Sequence, residues 1–229
     1  MNIVFLSSAG GYTFEYALAA QQLGVIGGKV IKVITDRACR TEDVAREYGV
    51  PHERVKTYKG QNREEYTQNL LAAIPTNTDL VCISLMKLIG EELLNRFPNR
   101  VINTHPSLLP AYKGYGANRK MLTEGKTVFG GCSLHLVDSE MDNGAIIIQS
   151  VIPLDLSITQ SDWELAVWHH QKKNFSQTLH WYFEDRVIMN ENRVIVLDAH
   201  YGLLPTNPSL ELSFGPVDEY FKEKHRKNQ

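Results

Sequence analysis

Cysteine is scarce: only Cys39, Cys82 and Cys132 occur in 229 residues. Three widely spaced thiols make neither a disulfide framework nor a zinc motif. Long apolar runs are missing as well. None approaches the roughly 20 residues a membrane-crossing helix needs, and Met1–Leu6 lacks the basic start and the length of a signal peptide. There is no cationic surplus: 24 Lys+Arg stand against 26 Asp+Glu, a net charge of −2 with a pI near 6.4. Nucleic-acid binding needs clustered positive charge to neutralise phosphates, so the balance argues against that partner. Neither G-x-G-x-x-G nor a Walker A sequence occurs, and no repeat or low-complexity tract interrupts the chain. What remains is ordinary for a soluble globular protein, 43% hydrophobic and 22% charged. The chain reads as reduced, soluble and cytoplasmic, with neither a membrane nor a nucleic acid as partner and no metal.

Apolar runs and helical periods alternate through the first half. Asn2–Leu6, Lys29–Ile34 and Asp79–Ser84 read as strands, the last apolar on both faces as a buried parallel strand must be. Between them Thr13–Leu23, Thr41–Tyr48 and Asn62–Ile74 read as helices, the second capped by Thr41 and stopped by Gly49. Strands alternating with helices imply βαβ units and a doubly wound, mostly parallel sheet, hence an α/β fold. The second half adds antiparallel-type pieces: Cys132–Val137 and Ala145–Val151, joined by the acidic turn Asp138–Gly144. A long helix over Gln160–Tyr182 follows, then a hairpin around Asn190–Asn192. The expected organisation is a catalytic domain over residues 1–204 and a C-terminal extension over 205–229, where little pattern is visible.

Gly10-Gly11 follows the first strand and opens a helix, a place where free backbone N–H groups can cradle an anion; a plain strand-to-helix turn accounts for it equally. Asn103 and His105 lie two apart at the end of an apparent strand and therefore project to one side. An amide N–H and an imidazole converging on one point suit a tetrahedral oxyanion, and a carboxylate beside the imidazole could relay a proton. A turn-forming Asn and a surface His read the same. His135, alternating with Leu134 and Leu136, reads as structural. His169-His170 are about 100° apart around a helix and make no metal pair.

The segments Asn103-Thr-His-Pro-Ser-Leu-Leu-Pro110, Ser133-Leu-His-Leu-Val137 and Met141-Asp-Asn-Gly-Ala-Ile-Ile-Ile-Gln149 together resemble the folate-dependent formyltransferase family, most closely its glycinamide ribonucleotide (GAR) transformylase branch. The likeness runs from the first strand to the hairpin near Leu197. It implies 10-formyltetrahydrofolate as co-substrate, a small-molecule amine as acceptor, and catalysis by Asn103, His105 and Asp142. It also places the folate between two segments. One carries Met86, Lys87, Leu88 and Ile89; the other carries Val137, Asp138, Ser139, Glu140, Met141 and Asn143. Asn143 stands where a Gly is common, and its tolerance of left-handed backbone angles lets the turn survive.

Departures cluster on the acceptor side. The branch's Gly-x-Gly-Ser-Asn phosphate loop is matched by Ala9-Gly10-Gly11-Tyr12-Thr13, and its Gly-x-His-Thr-His-Arg run by Gly114-Tyr-Gly-Ala-Asn-Arg119. A Glu that recognises the glycinamide end is matched by Gln171. Gly10, Gly11, Tyr12, Thr13 and Gln171 are therefore the expected acceptor-binding residues, with an altered acceptor. The alternatives are GAR itself, hydrolysis of the folate by water, and non-catalytic binding of a folate or nucleotide.

Overall fold

Five parallel strands and three antiparallel ones share one sheet in the computed structural model, which describes residues 1–202 and 205–227. The parallel part contains β1 (Asn2–Ser7), β2 (Lys29–Thr35), β3 (His52–Arg54), β4 (Leu80–Ser84) and β5 (Val101–His105). The antiparallel part contains β6 (Phe129–Leu136), β7 (Ile146–Pro153) and β10 (Thr206–Asn207), and a separate hairpin joins β8 (Val187–Asn190) to β9 (Arg193–Val196). Strand order in the large sheet is β10-β7-β6-β5-β4-β1-β2-β3. The α/β, doubly wound, mostly parallel architecture with antiparallel additions is the one expected.

Two cores explain the layering. On one face α1 (Tyr12–Gln22), α2 (Arg40–Glu47) and α6 (Gln160–Phe183) bury Ile3, Phe5, Phe14, Ile102, Leu134, Phe175 and Trp181. On the other face α3 (Arg63–Ala73) and α4 (Glu91–Arg96) cover Val4, Leu6, Val81, Ile83 and Val101. Residues of β1 alternate between these clusters, as a strand sandwiched by helices requires. Each fully buried large side chain contributes about 1.5–3 kcal/mol of transfer free energy. A third cluster joins α5 (Ala117–Glu124) to the start of α6 through Met121, Trp163 and Val167.

Local chemistry sets several boundaries. The Asn62 side chain accepts from Glu65 N at 2.8 Å and starts α3. Thr159 and Asp162 form a reciprocal capping box at the start of α6. Thr41 is not the cap expected of it. Helix α2 begins one residue earlier, and the Thr41 hydroxyl binds Ala9 O and Ser7 Oγ, both at 2.8 Å, tying α2 to the loop after β1. The segment after residue 204, which shows little pattern in the sequence, packs on the same body: β10 pairs with β7, and α7 (Gly215–Lys227) places Val217 and Phe221 in the first core. The basic stretch Lys222–Lys227 is the end of that helix.

The sheet positions a crevice. Connections from β1 and β4, neighbours in the sheet, diverge at their carboxyl ends, the usual place for a ligand in an open α/β sheet. Beside them, Asn103 and His105 of β5 fall on the Val101 face by alternation. Loops 106–116 and 137–145 cover them there.

Candidate active site

Register brings four side chains of β5 and β6 to one face. Asn103 pairs with His135, and His105 with Ser133, so all four project the same way. The β6–β7 pairing shifts between Leu134 and His135, leaving Ile147 unpaired; such a bulge re-aims neighbouring side chains. Asp142 arrives on the loop after β6 with φ 50, in the left-handed region. Asp is among the few residues that adopt it at low cost. Asn143, expected to absorb the left-handed angle, does not: the turn falls one residue earlier, on the acid itself. Asn143 instead accepts from Lys113 Nζ at 2.5 Å and donates to Asp138 Oδ2 at 3.1 Å.

The carboxylate is only 10% exposed and is held from three sides. Its Oδ2 lies 3.3 Å from His105 Nδ1 and accepts from Gly114 N at 2.8 Å, while Oδ1 lies 3.7 Å from His135 Nε2. His105 Nε2 donates to Tyr112 O at 2.9 Å. Both ring nitrogens thus lie near an acceptor oxygen, with a hydrogen bond formed to Tyr112 O. His135 is fully buried, and its Nδ1 donates to Leu136 O at 2.7 Å, which leaves Nε2 directed at the carboxylate without a hydrogen bond. Burial pushes the His135 pKa below the usual imidazole value; the Leu136 carbonyl and Asp142 oppose that only in part. Asn103 lines the cavity, and its side chain makes no hydrogen bond among the described residues.

A buried scaffold fixes this centre. Ser133 Oγ donates to Ser107 O at 2.7 Å and accepts from Leu109 N at 3.0 Å and Gln149 Nε2 at 2.7 Å. Gly144 admits close contact: a Cβ there would lie 1.9 Å from Leu136 O. Gly144→Ala is therefore expected to cost about 1–3 kcal/mol and to displace Asp142. A thermal melt run beside a turnover assay checks both.

The cavity holds about 260 Å³ and extends from Ala9 to Asp142. Of the residues expected to bind folate, Met86, Lys87, Leu88 and Ile89 form one wall, and Val137, Asp138, Glu140 and Met141 the other. Met86 and Leu88 are 49% and 44% exposed, so they are not core; Ile89 is buried. Ser139 and Asn143 are not on the lining, although Ser139 O accepts from Arg63 Nη2 at 3.3 Å. Arg63 also donates through Nε to Ile89 O at 2.5 Å, so one guanidinium bridges the two walls. Tyr115 crosses the mouth, its hydroxyl donating to Met86 O.

The expected acceptor residues lie beyond that lining. Tyr12's ring rests on Gly10, where a Cβ would come within 2.8 Å of it, and Gly11 (φ 69) leaves room for Thr41. The Arg40 guanidinium sits 4.5 Å from the centre of the Tyr12 ring, and Trp168 meets the same ring edge-on at 5.8 Å. Thr13 occupies the first turn of α1. Gln171 approaches from the α6 side, donating to Thr104 Oγ1 at 3.1 Å between Asn103 and His105. Cys132 is buried, and desolvation pushes its thiol pKa up to about 12, so it is not a thiolate nucleophile. No group of three or more His, Cys, Asp or Glu side chains among the described residues is placed to hold a metal ion, and no helix among them is long and apolar enough to cross a membrane.

The profile of the formyl transferase family matches residues 1–179. The phosphoribosylglycinamide formyltransferase of Escherichia coli is 28% identical over 195 residues, which cover 84% of this chain and 92% of that protein. A formyltetrahydrofolate deformylase of the same organism is 32% identical over 152 residues, 66% of this chain and 54% of its own. Among solved structures, glycinamide ribonucleotide transformylase 1 from Symbiobacterium toebii superposes with a TM-score of 0.79 at 31% identity, over 86% of this chain and 94% of that one. With this fold and this cleft, the chain belongs to the formyl transferase family. It is an enzyme of one-carbon chemistry, and its formyl donor is 10-formyltetrahydrofolate.

Proposed function

We propose that the enzyme transfers the formyl group of 10-formyltetrahydrofolate to the amine of a small polar acceptor, with an acceptor side that differs from that of the GAR transformylases. The observation that carries this reading is the Asp142 carboxylate, 3.3 Å from His105 Nδ1 beside a cavity that Asn103 also lines. The residues present fit a folate. Exposed Met86 and Leu88 offer an apolar wall to a flat ring, the 137–141 backbone offers hydrogen-bonding groups to its edge, and Arg63 with Lys87 offers cations to its carboxylates. When bound, the folate supplies an activated formyl carbonyl.

The chain's own groups do the rest. Asn103 donates its amide N–H to the formyl oxygen as negative charge develops there, and His105 adds a second donor. In this structure Tyr112 O holds the His105 Nε2–H, so donation requires that carbonyl to yield; left-handed angles at Tyr112, Gly114 and Gly116 mark the segment that carries it. As the acceptor nitrogen bonds to the formyl carbon, Asp142 takes a proton from it. Asp142 returns that proton toward the folate's N10 as the old C–N bond breaks, so the balance closes without a covalent enzyme adduct.

The acceptor difference is supported by Tyr12, whose ring lies against Gly10 in the loop that the resemblance links to phosphate binding, and by Gln171. Free Cys39, Cys82 and Cys132 suit a cytoplasmic setting. The deformylase relative makes hydrolysis the second reading. One assay separates them: 10-formyltetrahydrofolate followed at the folate chromophore, with β-glycinamide ribonucleotide and a panel of amino sugars and amino nucleotides. Turnover is expected only with an amine, and with some panel member in preference to β-glycinamide ribonucleotide. Turnover without amine favours hydrolysis. Preference for β-glycinamide ribonucleotide makes the enzyme a GAR transformylase proper, and binding without turnover removes catalysis altogether.

A further inference from the structure

Helix α7 lies outside the segment that matches the family profile, yet it is wired into the expected acceptor side. Phe214, Val217 and Phe221 are buried against α1, where Tyr16 stacks on Phe221 at 5.4 Å. Two polar limbs then leave the helix. Lys224 Nζ donates to Glu15 Oε1 at 2.6 Å and to Glu47 at 2.7 Å. The other oxygen of Glu15 accepts from Arg40 Nη2 at 2.5 Å, and Arg40 in turn donates to Gly10 O at 3.0 Å and caps Tyr12. The second limb starts at Asp218, which accepts from Tyr16 OH at 2.8 Å and pairs with Lys173 at 2.8 Å and Lys172 at 3.4 Å. Lys172 packs its ammonium 4.7 Å from the Trp168 ring, the ring that meets Tyr12. Both limbs end at the Tyr12–Trp168 contact.

Glu15 is 1% exposed. A buried carboxylate is costly unless it is paired in good geometry, so it has few places to go. Burial raises the Glu15 pKa, but Lys224 and Arg40 outweigh that and hold it below the ordinary carboxylate range. The group is charged near neutrality, and its two cations tie α7 to the Gly10 loop.

We propose that α7 is the buttress of the acceptor wall: Lys224 and Asp218 are positioning residues that fix the Gly10–Thr13 loop and the Trp168–Gln171 stretch of α6, and so set affinity for the acceptor rather than for folate or for the chemical step. This rests on the reading that Gly10–Thr13 and Gln171 face the acceptor. Lys224→Met keeps an apolar stem against Tyr48 and Phe221 and removes only the charge, and Lys224→Arg retains it.

The experiment uses the intact chain as wild type, Lys224→Met, Lys224→Arg and Asp218→Asn. Hydrogen exchange needs no acceptor. Amides in peptides 8–16 and 163–172 are expected to exchange about fivefold faster in Lys224→Met and Asp218→Asn. Peptides 101–107 and 136–144 and the affinity for 10-formyltetrahydrofolate stay within about twofold, and Lys224→Arg behaves as wild type. Unchanged exchange in 8–16 overturns the proposal. So does an equal rise in all four peptides, which marks general loosening. With the amine turned over best in the panel, KM for that amine rises about fivefold at constant kcat; a fall in kcat with KM unchanged also overturns it. Exchange is read without amine, so a panel that finds no acceptor leaves the wiring result standing and sinks only the formyl-transfer reading.

Discussion

Asp142→Asn is expected to lower kcat about 10³-fold, within the range for loss of a positioned acid–base group, while folate affinity holds. The swap isolates charge from shape. Asn tolerates the left-handed angle that Asp142 adopts, and its carbonyl oxygen can still accept the Gly114 N–H, so the loop survives. What disappears is the proposed proton acceptor and the carboxylate that lies beside His105 and His135. Equilibrium binding of 10-formyltetrahydrofolate, measured beside single-turnover transfer, separates the two effects. Near-normal turnover with intact binding would remove the carboxylate from the mechanism. A parallel loss of binding would assign Asp142 to shaping the folate wall.

Asn103→Ala comes next, with an expected loss of about 10²-fold or more in kcat, the scale for removing one oxyanion donor. The side chain has no hydrogen-bond partner among the described residues and only intermediate exposure, so its removal leaves no buried group orphaned. Stability is therefore expected to change little, and a thermal melt checks that. The distinguishing reading is the kinetic split. An interaction made only in the transition state lowers kcat and kcat/KM together, whereas loss of ground-state binding raises KM at constant kcat. The second pattern would move Asn103 from catalysis to substrate placement.

The sheet was legible because its strands are short apolar runs broken by helical periods. Residues 80–83, apolar throughout, can only lie between two helical layers, and they do. The remaining elements carry weak signal for a physical reason. β3 is three residues, His-Glu-Arg, all exposed, recruited by pairing with β2. β10 is two residues long, and α4 is six. α7 buries Val217 and Phe221, four apart, amid a charged sequence, and its meaning lies in partners some two hundred residues away.

The site divides in the same way. The period of two alone puts Asn103 and His105 on one side. Asp142 joined them through family resemblance, since no local rule links residues 105 and 142. His135 reads as a plain strand residue until register sets it opposite Asn103. Arg63, in the first turn of α3, gives no sign in sequence that it bridges the two walls of the cavity. Asn and Gly are the habitual occupants of a left-handed corner, which points to Asn143 in the 137–144 loop; the backbone places the corner on the acid.

That placement fuses two requirements usually met by separate positions. The corner of the loop demands a short side chain content with a positive φ, and the proton transfer proposed for this position demands an acid. Glutamate supplies the acidity but strains the corner by roughly 1 kcal/mol or more; glycine and asparagine relax the corner and forfeit the acid. Aspartate alone serves both, so descendants of this chain could remodel the rest of the loop freely while this one letter stays pinned.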